Sequence, residues 1–302
     1  MSRIILGLWP MAGITSGDVS RQSSAATIQT AIDAGIDTFD TAFSYGYDGE
    51  SDQMLGEVLR RKHNQDKRLT VIGKVGQRWT SDRRRVVDAS PQQLTADAEA
   101  SLKRIGIERF DLLMLHAVDS QVEIEESASA LDALRRRGLA NRLGVCNVNA
   151  RELFRFSEAC PCVAIQCPLN LLQPDSLEPL IATATKLGIQ SHVYWTLMKG
   201  LLAGRISRDH VFDAGDSRTR YDVFQGQARQ RAHDVIDRLS LIADKHNTTI
   251  ARLSIGWALS QPGVTAALVG AKRPEQIGET AHATSLSDDL LAEVDGAAAT
   301  RH

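Results

Sequence analysis

Apolar residues fall into two alternating rhythms along the chain. Short runs of leucine and β-branched residues predict buried strands, and segments with apolar positions one helical turn apart predict helices. Ile4-Ile-Leu-Gly-Leu8 reads as a first strand, followed by a Gly-rich turn from Gly13 to Gly17. Ser24 to Ala34 carries Ile28 and Ile32 one turn apart and stops at Gly35, a helix with a glycine C-cap. Ile36, Thr38 and Phe39 open a short strand that delivers Asp40 and, on the next loop, Tyr45 beside Gly46. Met54, Leu55, Val58 and Leu59 mark a helix ending in the basic run Arg60-Arg-Lys62, and Leu69 to Lys74 is a strand. Ser90-Pro91 is a helix start, an N-cap followed by proline at the first position; Leu94, Ala98 and Leu102 form its buried face and Gly106 ends it.

The same rhythm continues to the end of the chain. Phe110 to His116 is a strand, and Ala128, Leu131 and Leu134 mark a helix running to Gly138. Leu143 to Asn147 is a strand, Leu153 and Phe156 mark a short helix, and Val163 to Gln166 is a strand. Leu177, Leu180, Ile181 and Ala184 make a helix ending at Gly188, and Ile189 to Tyr194 follows as a strand. A long polar loop is expected from about Arg205 to Gly226, then helices from Gln227 to Gln261, a last strand from Thr265 to Gly270, and a helix pair opened by Pro274. A helix, a glycine, an apolar residue and a strand recur at residues 34–36, 105–107, 137–139 and 187–189. Strands that alternate with helices are parallel. No G-x-G-x-x-G follows the first strand and no Walker A sequence occurs. About eight strand–helix units without a dinucleotide-binding fingerprint favour a closed (β/α)8 TIM barrel, one domain spanning residues 1–302, over an open doubly wound sheet.

Composition adds exclusions. The chain has 302 residues, is 43% apolar and 24% charged, and carries a net charge of −2, so nothing argues for a nucleic-acid or anionic-membrane partner. The apolar runs are too short to span a bilayer, and the first residues lack a signal-peptide core, which leads to an expected cytoplasmic location. Cys146, Cys160, Cys162 and Cys167 form no spaced C-x-x-C pairs. They are expected to be reduced, mostly buried thiols, with no metal site. Oligomeric state is unreadable.

The chemistry gathers at strand ends. Asp40 and Tyr45 follow the second strand, Lys74 ends the third, His116 the fourth, Asn147 the fifth, Gln166 the sixth and Tyr194-Trp195 the seventh. In a parallel barrel these ends share one mouth. Singly, each has a bland reading: a turn aspartate, a rim tyrosine, a solvated lysine, a core histidine. Together they suit carbonyl reduction. A ketone or aldehyde that accepts hydride needs a proton at once, and a phenol can give it. Lys74 near Tyr45 would lower the phenol pKa, Asp40 would pair with the lysine, and His116 would orient the carbonyl oxygen.

These residues resemble the aldo-keto reductase superfamily, (β/α)8 oxidoreductases that use nicotinamide cofactors. The likeness runs from Leu6-Gly-Leu-Trp9 to Ala281. It includes Phe39-Asp-Thr-Ala-Phe-Ser-Tyr-Gly46, Gly144-Val-Cys-Asn147, Gln166-Cys-Pro-Leu-Asn-Leu-Leu172, the stretch Tyr194 to Gly204, and Gly270-Ala-Lys-Arg-Pro-Glu-Gln276. The resemblance implies a catalytic tetrad of Asp40, Tyr45, Lys74 and His116. It also implies Asn147 and Gln166 on the nicotinamide carboxamide, and Tyr194 on the ring. Leu197, Gly200 and Leu201 would line the pyrophosphate, with Trp195 and Thr196 also at the cofactor, and Gly270, Ala271, Lys272 and Gln276 would hold the ribose and its 2′-phosphate. Glu279 and Thr280 would lie near the adenine. The chain departs from the pattern at Cys146 in place of serine, at Trp195-Thr196 in place of Ser-Pro, and at Thr280 in place of asparagine. By the same resemblance the N-terminal hairpin that usually closes the barrel bottom is expected to be missing, the first strand beginning near Arg3.

The resulting expectation is an NAD(P)-dependent reductase of an aldehyde or ketone. NADPH is expected to be preferred, because Lys272-Arg273 precede a helix opened by Pro274 whose free N–H groups would face a phosphate; NADH is possible. Three alternatives share the sequence: an NAD-linked dehydrogenase of a sugar lactol or pyridoxal-type alcohol, a Schiff-base aldolase using Lys74, and a cofactor-sensing regulatory subunit. Specificity would come from the loops at residues 13–21, 77–88, 117–123 and 205–226.

Overall fold

A computed structural model of the chain describes residues 2–14, 19–61 and 68–299. Residues 15–18 of the Gly13–Gly17 turn and of the 13–21 loop, and Lys62 of the basic run, lie outside these residues. The strands in chain order are β1 (Ile4–Gly7), β2 (Thr38–Asp40), β3 (Thr70–Val75), β4 (Gln77–Trp79), β5 (Arg85–Val87), β6 (Phe110–Leu115), β7 (Ala140–Cys146), β8 (Cys162–Pro168), β9 (Gln190–Tyr194) and β10 (Val264–Gly270). Eight of them close into a barrel in the order β1-β10-β9-β8-β7-β6-β3-β2, and the pairs are parallel. The expected (β/α)8 barrel is therefore the fold.

The helices are α1 (Arg21–Asp33), α2 (Glu50–Leu59), α3 (Pro91–Ile105), α4 (Ile124–Arg136), α5 (Ala150–Ala159), α6 (Leu180–Lys186), α7 (Gly226–Lys245), α8 (Ile250–Ser260), α9 (Pro274–Thr280) and α10 (Asp288–Ala298). Local chemistry sets several boundaries. α1 starts three residues before the apolar pattern suggests, because the Ser20 hydroxyl accepts the Ser23 N–H at 3.1 Å. α5 is longer than its two apolar residues indicate, because Asn149 and Glu152 form a reciprocal capping box. The expected 77–88 loop contains an antiparallel hairpin, β4–β5, and the polar 205–226 stretch contains short 3₁₀ turns at Ser217–Arg220 and Asp222–Phe224.

Strand alternation divides the core. The residues facing the helices join one large cluster with the helix faces, whereas Ile5, Ile72, Leu112, Met114, Cys146, Ala164, Ala266 and Leu268 form a smaller cluster inside the barrel. Gly144 belongs to this inner layer for a steric reason. A Cβ there would come within 2.5 Å of the Ala164 carbonyl oxygen and 2.8 Å of the Met114 methyl. Gly144→Ala is expected to destabilise the fold by about 1–3 kcal/mol through overpacking. An unchanged urea midpoint would show that the barrel absorbs the methyl without strain. Among the described residues no helix is long and apolar enough to cross a membrane, and no cluster of three or more His, Cys, Asp or Glu side chains could hold a metal.

Candidate active site

Register carries the polar side chains to one end of the barrel. Asp40 pairs across to Gly7 on β1 and Ile72 on β3, so Lys74 lies one inward-facing position beyond Asp40 toward the C-terminal mouth. Both side chains are buried, and Lys74 Nζ donates to Asp40 Oδ1. Across the barrel, Gln166 Nε2 donates to Asp40 Oδ2 at 2.6 Å, and the Cys146 thiol donates to Gln166 Oε1 at 3.2 Å. The buried carboxylate is thus satisfied from two sides, as desolvation requires.

Tyr45 sits above this pair. Lys74 Nζ is 4.8 Å from its ring centroid, and the ring packs edge-on against Trp9 at 5.1 Å and His116 at 5.7 Å. Its loop is tied down from behind. Asp52 on α2 accepts hydrogen bonds from Thr41 and from Ser101 on α3, each at 2.6 Å, and burial pushes its carboxyl up to about 6. His116 follows β6 directly. Its Nδ1 is buried without a partner, and its Nε2 lies 3.5 Å from an Arg85 guanidinium nitrogen.

The electrostatics correct one expectation. The sequence suggested a Tyr45 phenol with a depressed pKa. In the structure burial dominates and pushes it up to about 12, while the Lys74 charge acts in the opposite direction. Tyr45 is therefore fully protonated at neutral pH. Burial alone would lower Lys74, but Asp40 and Tyr45 outweigh it and hold the ammonium above its ordinary range. Burial, with help from Lys74 and Arg85, holds His116 well below the usual imidazole range, so the ring is neutral. All four cysteines are free thiols, and burial raises each of them, which leaves them unreactive.

Beside the mouth runs a cleft of about 380 Å³, bordered by Trp9, Trp195, Thr196, Leu197, Gly200, Gly270, Ala271, Lys272, Gln276, Glu279 and Thr280, among others. Ten of the side chains expected at a cofactor thus share one cavity. Leu201 does not border it; its side chain is wholly buried in the core. Asn147 and Tyr194 are joined to each other, the phenol donating to Asn147 Oδ1 at 2.6 Å, and Asn147 Nδ2 donates to the His116 carbonyl at 2.8 Å.

The start of α9 carries a cap of its own. The backbone N–H groups of Lys272 and Arg273 are not free: Gln276 Oε1 accepts both, at 2.8 and 3.2 Å. The cations that border the cleft are Lys272, Arg205, Lys199 and Arg218. Arg205 is paired with Glu279 at 2.5 Å, and Arg218 is held by Asp216. Lys199 Nζ lies over the rings of Trp195 and Tyr221 at 4.6 and 4.5 Å. Arg85, Arg218 and Tyr221 were illegible as site residues because each lies in a polar stretch without periodicity, and Lys199 because the apolar motif around it gave it no role. Asn147, Trp195, Met198 and Lys199 all have left-handed backbones, with φ of 57°, 59°, 39° and 52°. Such outliers concentrate where a site dictates the chain path.

Fold and mouth together define a barrel oxidoreductase of carbonyl and alcohol groups. The aldo/keto reductase family model matches residues 3–299, and the chain belongs to that family. It is similar to the aldo-keto reductase YhdN of Bacillus subtilis, 29% identical over 277 residues that cover 91% of this chain and 83% of that one. An NADH-specific methylglyoxal reductase of Escherichia coli is 28% identical over 301 residues, 95% of this chain and 91% of that one. The structure of a glycerol dehydrogenase of Gluconobacter oxydans superposes with a TM-score of 0.90 at 30% identity, covering 98% of this chain and 91% of that one.

Proposed function

We propose that the protein reduces a small aldehyde or ketone with NADPH in preference to NADH, using Tyr45 as proton donor. The observation that carries this reading is the buried Asp40–Lys74 pair directly beneath a protonated Tyr45, with neutral His116 against the same ring. When bound, the nicotinamide supplies the hydride. As the carbonyl oxygen gains negative charge, Tyr45 gives it the phenolic proton. Lys74 stabilises the phenolate left behind, and Asp40 keeps Lys74 charged and in place. His116, being neutral, offers an N–H to the same oxygen without competing as an acid. The Lys74–Asp40 pair disfavours a Schiff-base aldolase, which needs a neutral lysine.

The residues of the cleft fit a nicotinamide dinucleotide. Trp9 and Trp195 offer flat apolar surface, Lys272 and Arg218 offer charge for phosphate, and at Gly270 a Cβ would come within 2.6 Å of the Pro10 ring. Asn147 and Gln166 would hold the carboxamide, their amides now being engaged with Tyr194 and Asp40. Lys272 is half-buried; burial and then the nearby Arg218 charge lower its pKa, so a second phosphate would relieve both cations. Lys272→Ala is expected to weaken NADPH binding about ten- to a hundredfold and NADH binding little, since a charge-assisted contact contributes about 1.5–3 kcal/mol. Fluorescence titration with both cofactors checks this. Equal losses, or a wild-type preference for NADH like that of the methylglyoxal reductase, would remove the 2′-phosphate assignment.

A carbonyl panel followed at the nicotinamide absorbance tests the reaction itself. Tight cofactor binding with no turnover of any carbonyl would instead favour a sensing role. A second reading, oxidation of an alcohol, is supported by the likeness to a glycerol dehydrogenase and is separated by running the panel in both directions.

A further inference from the structure

One charge at the mouth has no part in the chemistry above. The β4–β5 hairpin pairs Trp79 directly opposite Arg85, so the two side chains leave on one face of the ribbon. Trp79 anchors that face. Its Nε1 donates at 2.9 Å to the carbonyl of Ser44, the residue before Tyr45, and its ring meets Tyr47 edge-on at 5.0 Å. Arg83 adds a contact over the Tyr47 ring at 4.5 Å. The hairpin is therefore fastened to the same loop that carries Tyr45.

From this fixed ribbon Arg85 reaches inward. Its guanidinium carbon lies 5.1 Å from the Trp9 ring centroid, and Nη2 lies 3.5 Å from His116 Nε2. Tyr45, Tyr221 and Tyr194 are near enough to interact with its charge. Among the described residues no carboxylate pairs with it, and Asp82 on the hairpin turn is already held by Arg84 and Thr80. Its contact with His116 is at the outer limit of a hydrogen bond. Arg85 is exposed to solvent, so an incoming anion can reach it, and its planar fork matches a carboxylate bidentately.

We propose that Arg85 receives the carboxylate of the substrate, so that the preferred substrates are short oxo acids and carboxylate-bearing aldehydes. The inference rests on the reduction reading and supplies its substrate class. His116 Nε2 would address the carbonyl oxygen, and the guanidinium is one contact away, so the acid group must sit close to the reacting carbon. A single guanidinium also matches one negative charge, which favours carboxylate over phosphate. Arg85 acts here as a specificity residue.

The test uses matched substrates and a non-reacting ligand. Glyoxylate is compared with acetaldehyde, succinic semialdehyde with butanal, and glyceraldehyde phosphate with glyceraldehyde, in wild type, Arg85→Met and Arg85→Lys. Oxamate and its neutral analogue oxamide are titrated calorimetrically against each protein. Wild type is expected to prefer the carboxylate member of the first two pairs and to gain nothing from the phosphate of the third. Arg85→Met should cut kcat/KM for the carboxylate member about ten- to a hundredfold more than for its neutral partner, mainly through KM, and should lose oxamate binding. Arg85→Lys should recover part of both. Equal loss for both members, a wild-type preference for the neutral or phosphorylated substrates, or equal oxamate binding by wild type and Arg85→Met would overturn the assignment. Should the methionine variant fail to fold, Arg85→Gln carries the same comparison. Oxamate binding that depends on Arg85, in a protein that reduces no carbonyl, would uphold the anion site and reject the reduction reading. Turnover of neutral aldehydes with Arg85-independent oxamate binding would do the reverse.

Discussion

Replacing Tyr45 with phenylalanine is expected to lower carbonyl reduction by about 10²–10⁴-fold while leaving cofactor affinity close to that of wild type. Only the hydroxyl is lost. The ring contacts with Trp9 and His116 remain available to phenylalanine, and Lys74 stays paired with Asp40, so the fold has little reason to respond. Because the phenol sits at about 12, the wild-type enzyme holds its proton throughout the neutral range. The reduction rate in that range should therefore not depend on ionisation of Tyr45. Single-turnover rates with a fixed aldehyde, together with a cofactor titration, check both halves. A variant that keeps more than about a tenth of wild-type kcat would require another proton source.

Lys74→Met should act on both catalysis and stability. Removing the ammonium leaves Asp40 buried with Gln166 as its remaining hydrogen-bond donor. Breaking a buried pair from one side typically costs about 3–5 kcal/mol. The double variant Asp40→Leu, Lys74→Met should regain much of that stability and none of the activity, because it removes the uncompensated charge along with the cation. In the single variant the apparent pKa of the proton donor should rise further, since Lys74 is the group that opposes the upward push of burial. Urea unfolding reads the first effect. The second is read in the rate: without Lys74 to stabilise the phenolate, single-turnover reduction at a fixed neutral pH should fall, and an undiminished rate would mean that Lys74 does not support Tyr45. A single variant as stable as wild type would mean that Asp40 finds another way to shed its charge.

How much of this was legible in the chain differs from residue to residue. The barrel was legible because each helix–glycine–strand unit repeats, and because parallel strands deliver chemistry only at their C-terminal ends. That second rule is enough to bring Asp40, Lys74, His116 and Gln166 together from the sequence. Four things were not legible. The sign of the Tyr45 shift depends on how deeply the ring is buried, and a one-dimensional pattern carries no depth. Gln276 borders the cleft, and its amide oxygen also turns back to cap the start of α9, a second engagement invisible to motif spacing. Arg85 is the third of three consecutive arginines on a polar stretch, and only the cross-strand partner Trp79 gives it a direction. Leu201, in turn, follows the pattern of its motif while its side chain points into the core.

The left-handed turns at Asn147, Trp195, Met198 and Lys199 bear on how this protein could be made hardier. A non-glycine residue in that region costs about 1–2 kcal/mol, less for asparagine, so the four together strain the chain by several kcal/mol. That is a sizeable fraction of the net stability of an ordinary domain. A search for thermostable variants would therefore find easy gains at these positions, where glycine relieves the backbone. The same changes would loosen the walls around Tyr194, Trp195 and Tyr221. Heat resistance and turnover are set against each other in this one segment, whereas the barrel floor and the outer helices can be strengthened without that conflict.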